Sequence, residues 1–285
     1  AQRWDGLPAL QALKALDHGL SDGARLTQLG ASLAALHDRV RSAPRRLLVV
    51  SEGRYHEDIA GAAAAIASLG TAKIKPYGEQ APSSIPTGPV MGQRVHEAWL
   101  TSTETSFCAR AYPAVPVGHP DAAPLSVLGR FLQNGYLHRA IREQGGAYGS
   151  GAGYDGETGA FRFYSYRDPR LGETLDDFDA SLSWLVEHRH APEQLEEAIL
   201  GIIGALDRPS SPAGEAIKTF VSALNGRTPE FRRRLRQRVL EVGVEDLRRV
   251  AARYLIPERA STAVVTDRQT LGRYRTLGLE ARSIS

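Results

Sequence analysis

The chain has 285 residues, 42% hydrophobic and 24% charged, and its 35 basic and 32 acidic residues leave a net charge of +3. This composition is typical of a globular protein with one large domain or two smaller ones. Apolar runs stay well short of the roughly 20 residues of a membrane helix, and the first residues lack the basic start and apolar core of a signal peptide, so we predict a soluble protein.

Two further features limit the class of protein. Cys108 is the one cysteine, which rules out an intrachain disulfide and a cysteine-rich zinc site. The basic run Arg232 to Arg238 offers a place for nucleic acid to bind. No aromatic platform accompanies it, and the arginines lie between the apolar positions Phe231, Leu235, Val239 and Leu240, so we interpret the run as a solvated helix face.

The opening segment is predicted to be helical. Leucines recur at helical spacing over residues 7–16 and again over 26–40. Ser21 or Asp22 is the predicted N-cap of the second helix. A third helix is predicted over residues 56–69.

Two segments between these helices and the rest of the chain have a different character. The short apolar run 45–51 (RRLLVVS), bounded by proline and glycine, is typical of a buried strand. Residues 77–94 are rich in proline and glycine, which predicts a linker. We therefore expect residues 1–76 to belong to one domain and residues 95–285 to form another.

The second unit mixes strands and helices. The hairpin turn chemistry of residues 155–159 separates two alternating segments. The order of elements predicts an α+β fold in which a layered sheet packs against helices, in the sequence strand, helix, hairpin, helices, strand. Strands are predicted over 96–100, 106–115, 148–154, 160–166 and 262–265, and helices over 121–144, 171–188, 192–206, 213–224, 228–239, 244–254 and from 267.

The two ends of the chain resemble each other in order. Helix, helix, short strand, helix occurs over residues 7–69 and again over 228–275, with RRLLVVS and STAVVTD in matching places. This predicts an internal repeat at domain scale, and a chain that begins partway through its first copy.

Residues 136–170 contain the most informative chemistry. A long helix is predicted to end at Gly145 and Gly146, and Tyr148 to begin a strand. Arg142 and Tyr148 are six positions apart across this turn, so a guanidinium and a phenol could face the same side and suit a peptide carbonyl or an oxyanion. The residues alone also allow Arg142 to favour the negative end of its helix and Tyr148 to be a half-buried strand aromatic.

Other chemistries lack their motifs. None of the eight histidines belongs to an HxxEH or HExxH pattern. The nearest group is His188 and His190 with Glu193 and Glu196, but histidines two apart do not share a helix face, so we expect a surface pair. His138 is expected to be a helix-surface residue. The glycines after Tyr148 lack a GxxxxGK[ST] phosphate motif.

The segment REQGGAYG, followed by a hairpin and FYSYRDP, resembles the fourth domain of presequence-protease-like peptidases. These form a branch of the pitrilysin/insulinase family of zinc metallopeptidases, the inverted zincins. The resemblance covers roughly Glu97 to Asp267. It implies that residues 1–76 are the C-terminal part of the third domain of such an enzyme and that residues 95–285 are the fourth.

The resemblance also implies a mechanism. Two homologous halves would enclose a chamber for unfolded peptides, and the N-terminal half, absent here, would hold zinc through HxxEH. The C-terminal half supplies an Arg and a Tyr that bind the substrate and stabilise the transition state. These catalytic and substrate-binding roles map to Arg142 and Tyr148, and Gly145 and Gly146 complete the substrate-binding turn.

We therefore predict the C-terminal, non-zinc half of a zinc metalloendopeptidase that degrades unfolded peptides, with no metal of its own and no activity alone. It could be a fragment, which its start within a domain favours, or a subunit that pairs with a zinc-bearing subunit. The alternative is a non-catalytic scaffold of the same fold, against which the presence of Arg142 and Tyr148 argues. No nucleic-acid or membrane partner is expected. The high Ala and Arg usage indicates a bacterial source.

Overall fold

The structure of the chain, a computed structural model, describes residues 7–43, 46–68 and 94–283. The chain divides into two compact units, Ala1–Ile85 with Pro209–Thr228, and Pro86–Arg208 with Pro229–Ser285. Almost all of the predicted linker 77–94 lies outside the described residues, so the predicted domain assignment stays a prediction. Within the described ranges, no helix combines the length and the apolar character needed to cross a bilayer.

Helices account for most of the described chain, and their bounds follow the predicted ones closely. They are α1 (Leu7–Gly19), α2 (Gly23–Ser42), α3 (His56–Ser68), α4 (Ala122–Leu132), α5 (Gly172–Glu187), α6 (Pro192–Leu206), α7 (Pro212–Leu224), α8 (Pro229–Leu240), α9 (Val244–Tyr254) and α10 (Arg268–Arg273). Asp22 caps α2, because its carboxylate accepts a hydrogen bond from Ala24 N at 2.9 Å. The arginine run lies on α8, where Arg233, Arg234 and Arg238 are exposed.

The strand predicted over 45–51 is wrong for its described residues. Residues 46–51 form no strand, and Leu47, Val49 and Val50 are exposed. An apolar run becomes a strand only where a neighbouring strand accepts its backbone hydrogen bonds, and no described strand pairs with this segment. The proposed match between RRLLVVS and STAVVTD therefore lacks one of its two strands.

The second unit is built on a mixed sheet. Its strands are β1 (His96–Leu100), β2 (Ser106–Pro113), β3 (Gly149–Asp155), β4 (Ala160–Asp168), β5 (Ser261–Thr266) and β6 (Glu280–Ser283). The order across the sheet is β3-β4-β2-β5-β1-β6. β1 runs parallel to β5 and β6, and the remaining pairs are antiparallel. The sequence predicted the first five strands and missed β6, whose four residues are all exposed and show no apolar alternation.

Alternation along the strands gives the sheet an inner and an outer face. Inward side chains such as Cys108, Phe161 and Phe163 are buried in one core with α4, α5 and α9. Burial raises the pKa of the Cys108 thiol to about 12, so this cysteine is a small apolar core residue. Outward side chains of β2 and β4 are exposed or half-buried. This α+β layer confirms the predicted fold class.

The helix predicted over 121–144 changes its geometry partway along. α4 ends at Leu132, and residues Gln133–Gln144 continue as a π-helix. Gly135 lies against the ring of Trp184, where a Cβ would overlap it. π-helical turns are rare and occur frequently at functional sites. Here the π-helix is the element that delivers Arg142.

Candidate functional site

The turn after the π-helix has the geometry that its two glycines predict. Gly146 N donates a hydrogen bond to Arg142 O at 3.1 Å, and Ala147 N donates to Ile141 O at 3.1 Å. Gly146 has φ +79°, a left-handed conformation that glycine adopts without strain. The chain thereby leaves the helix and enters β3 within a few residues.

Arg142 and Tyr148 lie on the two sides of this turn, and both side chains are open to solvent. Tyr148 is 63% exposed, and its N–H donates to Arg167 O at 3.2 Å, which joins it to β4. The alternative of a half-buried strand aromatic does not describe Tyr148. The role predicted for the pair stays a prediction.

Arg142 is held by its neighbours on the π-helix. Its Nη1 lies 3.3 Å from His138 Nε2, and His138 Nδ1 lies 3.3 Å from Glu143 Oε1. Because a guanidinium can only donate, Nε2 accepts, and the ring proton of a neutral His138 sits on Nδ1, facing Glu143. His138 is partly exposed on the helix surface, as predicted, but it also contacts the candidate site.

Tyr148 is surrounded by residues of β4. Its ring centre lies 5.5 Å from that of Tyr166, and Arg167 Cζ lies 5.6 Å from the centre of the Tyr148 ring. A guanidinium at this distance from an aromatic face is attracted to the ring. Tyr148 is therefore restrained on one side by an aromatic ring and on another by a cation.

A β-bulge explains why Tyr166 and Arg167 both face outward. Ser106 pairs with Asp168 and Cys108 pairs with Ser165, so Phe107 alone faces Tyr166 and Arg167. Arg167 has φ +49°, the one positive φ of a non-glycine residue in the described part of the chain. Bulges re-aim side chains, frequently beside active sites. Tyr166 and Arg167 are consequently both exposed, whereas Asp168 points inward.

The glycines of β3 make room for tyrosines of β4. A Cβ on Gly149 would overlap the ring of Tyr166, and one on Gly151 would lie 2.8 Å from the Tyr164 hydroxyl oxygen. The rings thus lie across strand positions that have no side chain. This packing gives two of the glycines in the series a structural purpose without a phosphate ligand.

Behind the turn, Arg170 fastens the end of the π-helix to α5. Its Nη2 donates to Ala140 O at 3.3 Å and to Asp177 Oδ2 at 2.9 Å. A Cβ on Gly145 would overlap the Arg170 guanidinium. Burial raises the pKa of Asp177, an effect that Arg170 partly offsets. Gly145 therefore has a packing role, whatever its relation to substrate.

The inward-pointing Asp168 completes this support. It accepts hydrogen bonds from the Thr174 hydroxyl at 2.7 Å and from Arg170 N at 3.0 Å. Arg167, Asp168 and Arg170 were not predicted from the sequence to be functional or supporting residues. FYSYRDP contains a sequence signal for the bulge. Strict alternation along it would turn the charged Arg167 into the core and Asp168 outward, so a regular strand does not suit this sequence.

The described residues contain no group of three or more His, Cys, Asp or Glu side chains that could hold a metal ion. The predicted surface pair is half right, since His188 is exposed. His190 is half-buried, and its ring packs 4.5 Å from Trp184 and 5.1 Å from Phe131. Its Nε2 bonds Leu185 O at 2.9 Å. The resemblance implies zinc in the absent N-terminal half, and that stays a prediction.

The fold is shared with solved peptidase domains. An inactive domain of a peptidase M16 from Pseudomonas fluorescens matches with a TM-score of 0.52 at 15% identity, over 74% of this chain and 51% of that one. At this identity the likeness concerns the fold alone. It agrees with the architecture of the second unit.

Sequence comparison identifies the family. The family model described as PreP C-terminal domain matches residues 113–265, and the chain belongs to this family of presequence-protease C-terminal domains. The mitochondrial presequence protease of Yarrowia lipolytica is 40% identical over 153 residues, 54% of this chain and 15% of the relative. That of Saccharomyces cerevisiae is 34% identical over 194 residues, 67% of this chain and 19% of the relative.

These relatives correct the expected source of the chain and limit what can be stated about its activity. They are mitochondrial proteins of eukaryotes, so the bacterial source inferred from Ala and Arg usage is wrong: codon-driven composition does not identify a lineage. The chain spans less than a fifth of the length of either relative. The activity of a whole presequence protease is therefore a matter of proposal for this chain.

Proposed function

We propose that this chain is the non-zinc, C-terminal part of a zinc metalloendopeptidase that cleaves unfolded peptides. In this proposal Arg142 and Tyr148 contact the substrate beside the bond that is cut. Zinc is held by a separate N-terminal half, in the same longer protein or in a partner subunit. The relatives' name, presequence protease, supports peptide cleavage as the activity.

The observation that supports the proposal most directly is the exposure of both side chains around one rigid turn. Tyr148 is 63% exposed. Arg142, six positions earlier, is also exposed, and its guanidinium bonds the surface residue His138. Side chains that serve the core would be buried. Two strong donors left open to solvent and restrained by their neighbours are suited to a ligand.

The chemistry follows from the donors. When water attacks a peptide carbonyl, negative charge develops on the carbonyl oxygen, and preorganised donors lower the energy of that state. The Tyr148 hydroxyl donates one hydrogen bond, and the Arg142 guanidinium donates others together with a fixed positive charge. When bound in the other half, zinc would activate the attacking water. Gly145 and Gly146 act by fixing the path between the two donors.

The test uses the full-length protein that contains this chain. Arg142→Ala and Tyr148→Phe should each lower kcat for a quenched fluorogenic peptide by about 100-fold, the usual cost of removing one oxyanion donor. KM should change much less, because the contact is strongest in the transition state. Arg139→Ala, on the same helix and also exposed, is the control and should retain normal turnover.

Unchanged turnover in both variants would exclude a catalytic role and favour a scaffold that only binds peptide. A second measurement concerns zinc. This chain alone should bind no stoichiometric zinc and should not hydrolyse peptides. Chelator-sensitive turnover by the isolated chain would contradict the proposal that zinc is held by a separate N-terminal half.

A further inference from the structure

The outer face of the sheet beside Tyr148 presents aromatic side chains with small residues between them. Tyr164 and Tyr166 of β4 and Phe107 of β2 are each 39% exposed. Ala109 pairs with Tyr164 on one side and with Ala263 on the other, so the residues between the rings are small. Among the described residues, the helices in contact with β2 and β3 reach them from the inner side, where the strand side chains are buried.

The same face is positively charged. Arg162 follows the alternation of β4 and lies outward with Tyr164 and Tyr166. The bulge adds Arg167, which the positive φ holds on this face rather than in the core. The Arg162 guanidinium interacts electrostatically with the Asp155 carboxylate of β3. In the part of the chain that the structure describes, Arg167 forms no ion pair and lies over the Tyr148 ring. Glu143 is already paired with His138.

We propose that this face binds the extended peptide segment next to the cleaved bond and that Arg167, together with Arg162, selects an acidic side chain there over a basic one. The inference rests on the proposed function, because Tyr148 marks where the reacting bond lies. The Tyr148 ring contacts Tyr166, so the aromatic surface is continuous with the candidate site. A peptide bonded at Tyr148 would reach this face with its neighbouring residues.

The positive charge of this face and the backbone strain at Arg167 favour a peptide that binds transiently over a protein surface that is packed against the face permanently. A folded surface that covered this face permanently would bury the Arg167 guanidinium without a carboxylate, which is costly unless the covering surface supplies one. Arg167 has the strained left-handed backbone that non-glycine residues adopt mainly at functional sites. Tyrosine and arginine are also the residue types enriched where proteins bind ligand chains.

The experiment measures selectivity in the full-length protein. Quenched peptides would be identical except for Asp, Asn or Lys, placed in turn at each position around the cleaved bond. At low salt, kcat/KM should favour Asp over Lys by about tenfold at one or two positions, as expected for one or two partly solvated charge contacts. The ratio should shrink at high salt because screening weakens such contacts.

Two variants and a control assign the effect. Arg167→Asn should reduce the Asp/Lys ratio to about threefold or less, because it removes the charge while asparagine tolerates positive φ. Any loss of turnover that comes from a less restrained Tyr148 affects all three peptides alike and cancels in the ratio. Arg162→Gln should act in the same direction. Arg238→Gln, on the exposed side of α8, removes a matched charge elsewhere and should leave the ratio unchanged. Circular dichroism checks that each variant is folded.

The outcomes separate this inference from the proposed function. Peptides that are cleaved with no Asp/Lys preference, or with a ratio that survives both arginine substitutions, overturn the inference and leave the proposed function intact. If Arg167→Asn lowers Tm without altering the ratio, another part of the protein covers the face, and the inference is again wrong. Failure of Arg142→Ala and Tyr148→Phe to slow cleavage overturns the proposed function itself.

Discussion

Gly145→Ala tests whether the turn is fixed from behind by Arg170. The Cβ of an alanine here would overlap the Arg170 guanidinium and lie 2.5 Å from Ile141 O. The arginine end alone could swing away, but the carbonyl belongs to the π-helix backbone. The overlap can therefore be relieved only if the end of the π-helix shifts or if the Arg170 side chain leaves its position.

The expected cost follows from what Arg170 would lose. Its Nη2 donates to Asp177 Oδ2 at 2.9 Å and to Ala140 O at 3.3 Å. A hydrogen bond involving a charged group contributes about 1.5–3 kcal/mol, and overpacking adds about 1–3 kcal/mol. We discount the sum for the partial exposure of both side chains and expect a loss of about 3 kcal/mol in the free energy of unfolding. Gly146→Ala, which has only backbone strain at φ +79°, should cost about 1–2 kcal/mol.

Urea denaturation followed by circular dichroism gives both values, from the midpoint and the slope. Arg170→Ala should itself destabilise, yet adding it to Gly145→Ala should cost less than the sum, because the overlap disappears with the guanidinium. Gly145→Ala proving milder than Gly146→Ala, or fully additive with Arg170→Ala, would refute the packing argument.

Two further substitutions address buried carboxylates of the second unit: Asp168 behind the candidate site, and Asp121 between α4 and α9. Thr174→Val removes the hydroxyl that donates to buried Asp168 at 2.7 Å and should cost about 2 kcal/mol in urea denaturation, whereas Thr174→Ser should retain most of the stability. Asp121→Asn weakens the hydrogen bonds from Tyr254 at 2.6 Å and Arg249 at 2.7 Å. Burial favours a higher pKa for Asp121, but these bonds outweigh it and lower the pKa. Wild-type stability should therefore fall as pH drops below about 4, and Asp121→Asn should lack this part of the pH dependence; an identical acid profile in both proteins would contradict it.

The sequence predicts elements well wherever local pattern and burial agree. β4 alternates strictly through Phe161, Phe163 and Ser165 on the buried side, and the turn before it contains Asp155 and glycines, so the hairpin was predictable. The diglycine turn was predictable for a similar reason: Gly146 adopts the left-handed conformation that ends helices.

The errors arise where a partner decides the structure. Residues 46–51 have the composition of a strand, but no described strand pairs with them. β6 has an unremarkable sequence and is a strand because β1 offers a parallel edge beside it. The π-helix cannot be inferred from period alone, because its apolar residues Leu137 and Ile141 are spaced as an α-helix would space them.

In the segment from Tyr164 to Arg170, both the local alternation of the strand and contacts with other elements determine the structure of the candidate site. Before the bulge, alternation alone places Tyr164 outward. After it, Asp168 and Arg170 turn inward and fix the π-helix end and α5, while Arg167 stays outward over Tyr148. Substitutions at the inward positions should therefore change stability first and activity only through it. Substitutions at Arg167 should change substrate selection while the free energy of unfolding stays close to that of the wild type. This separation arises from a single extra residue in one strand. If Arg167 were deleted, Asp168 would directly follow the outward-facing Tyr166, and strict alternation would still turn its carboxylate inward towards Thr174. The deletion should therefore remove the charge over Tyr148 and retain the Asp168–Thr174 hydrogen bond.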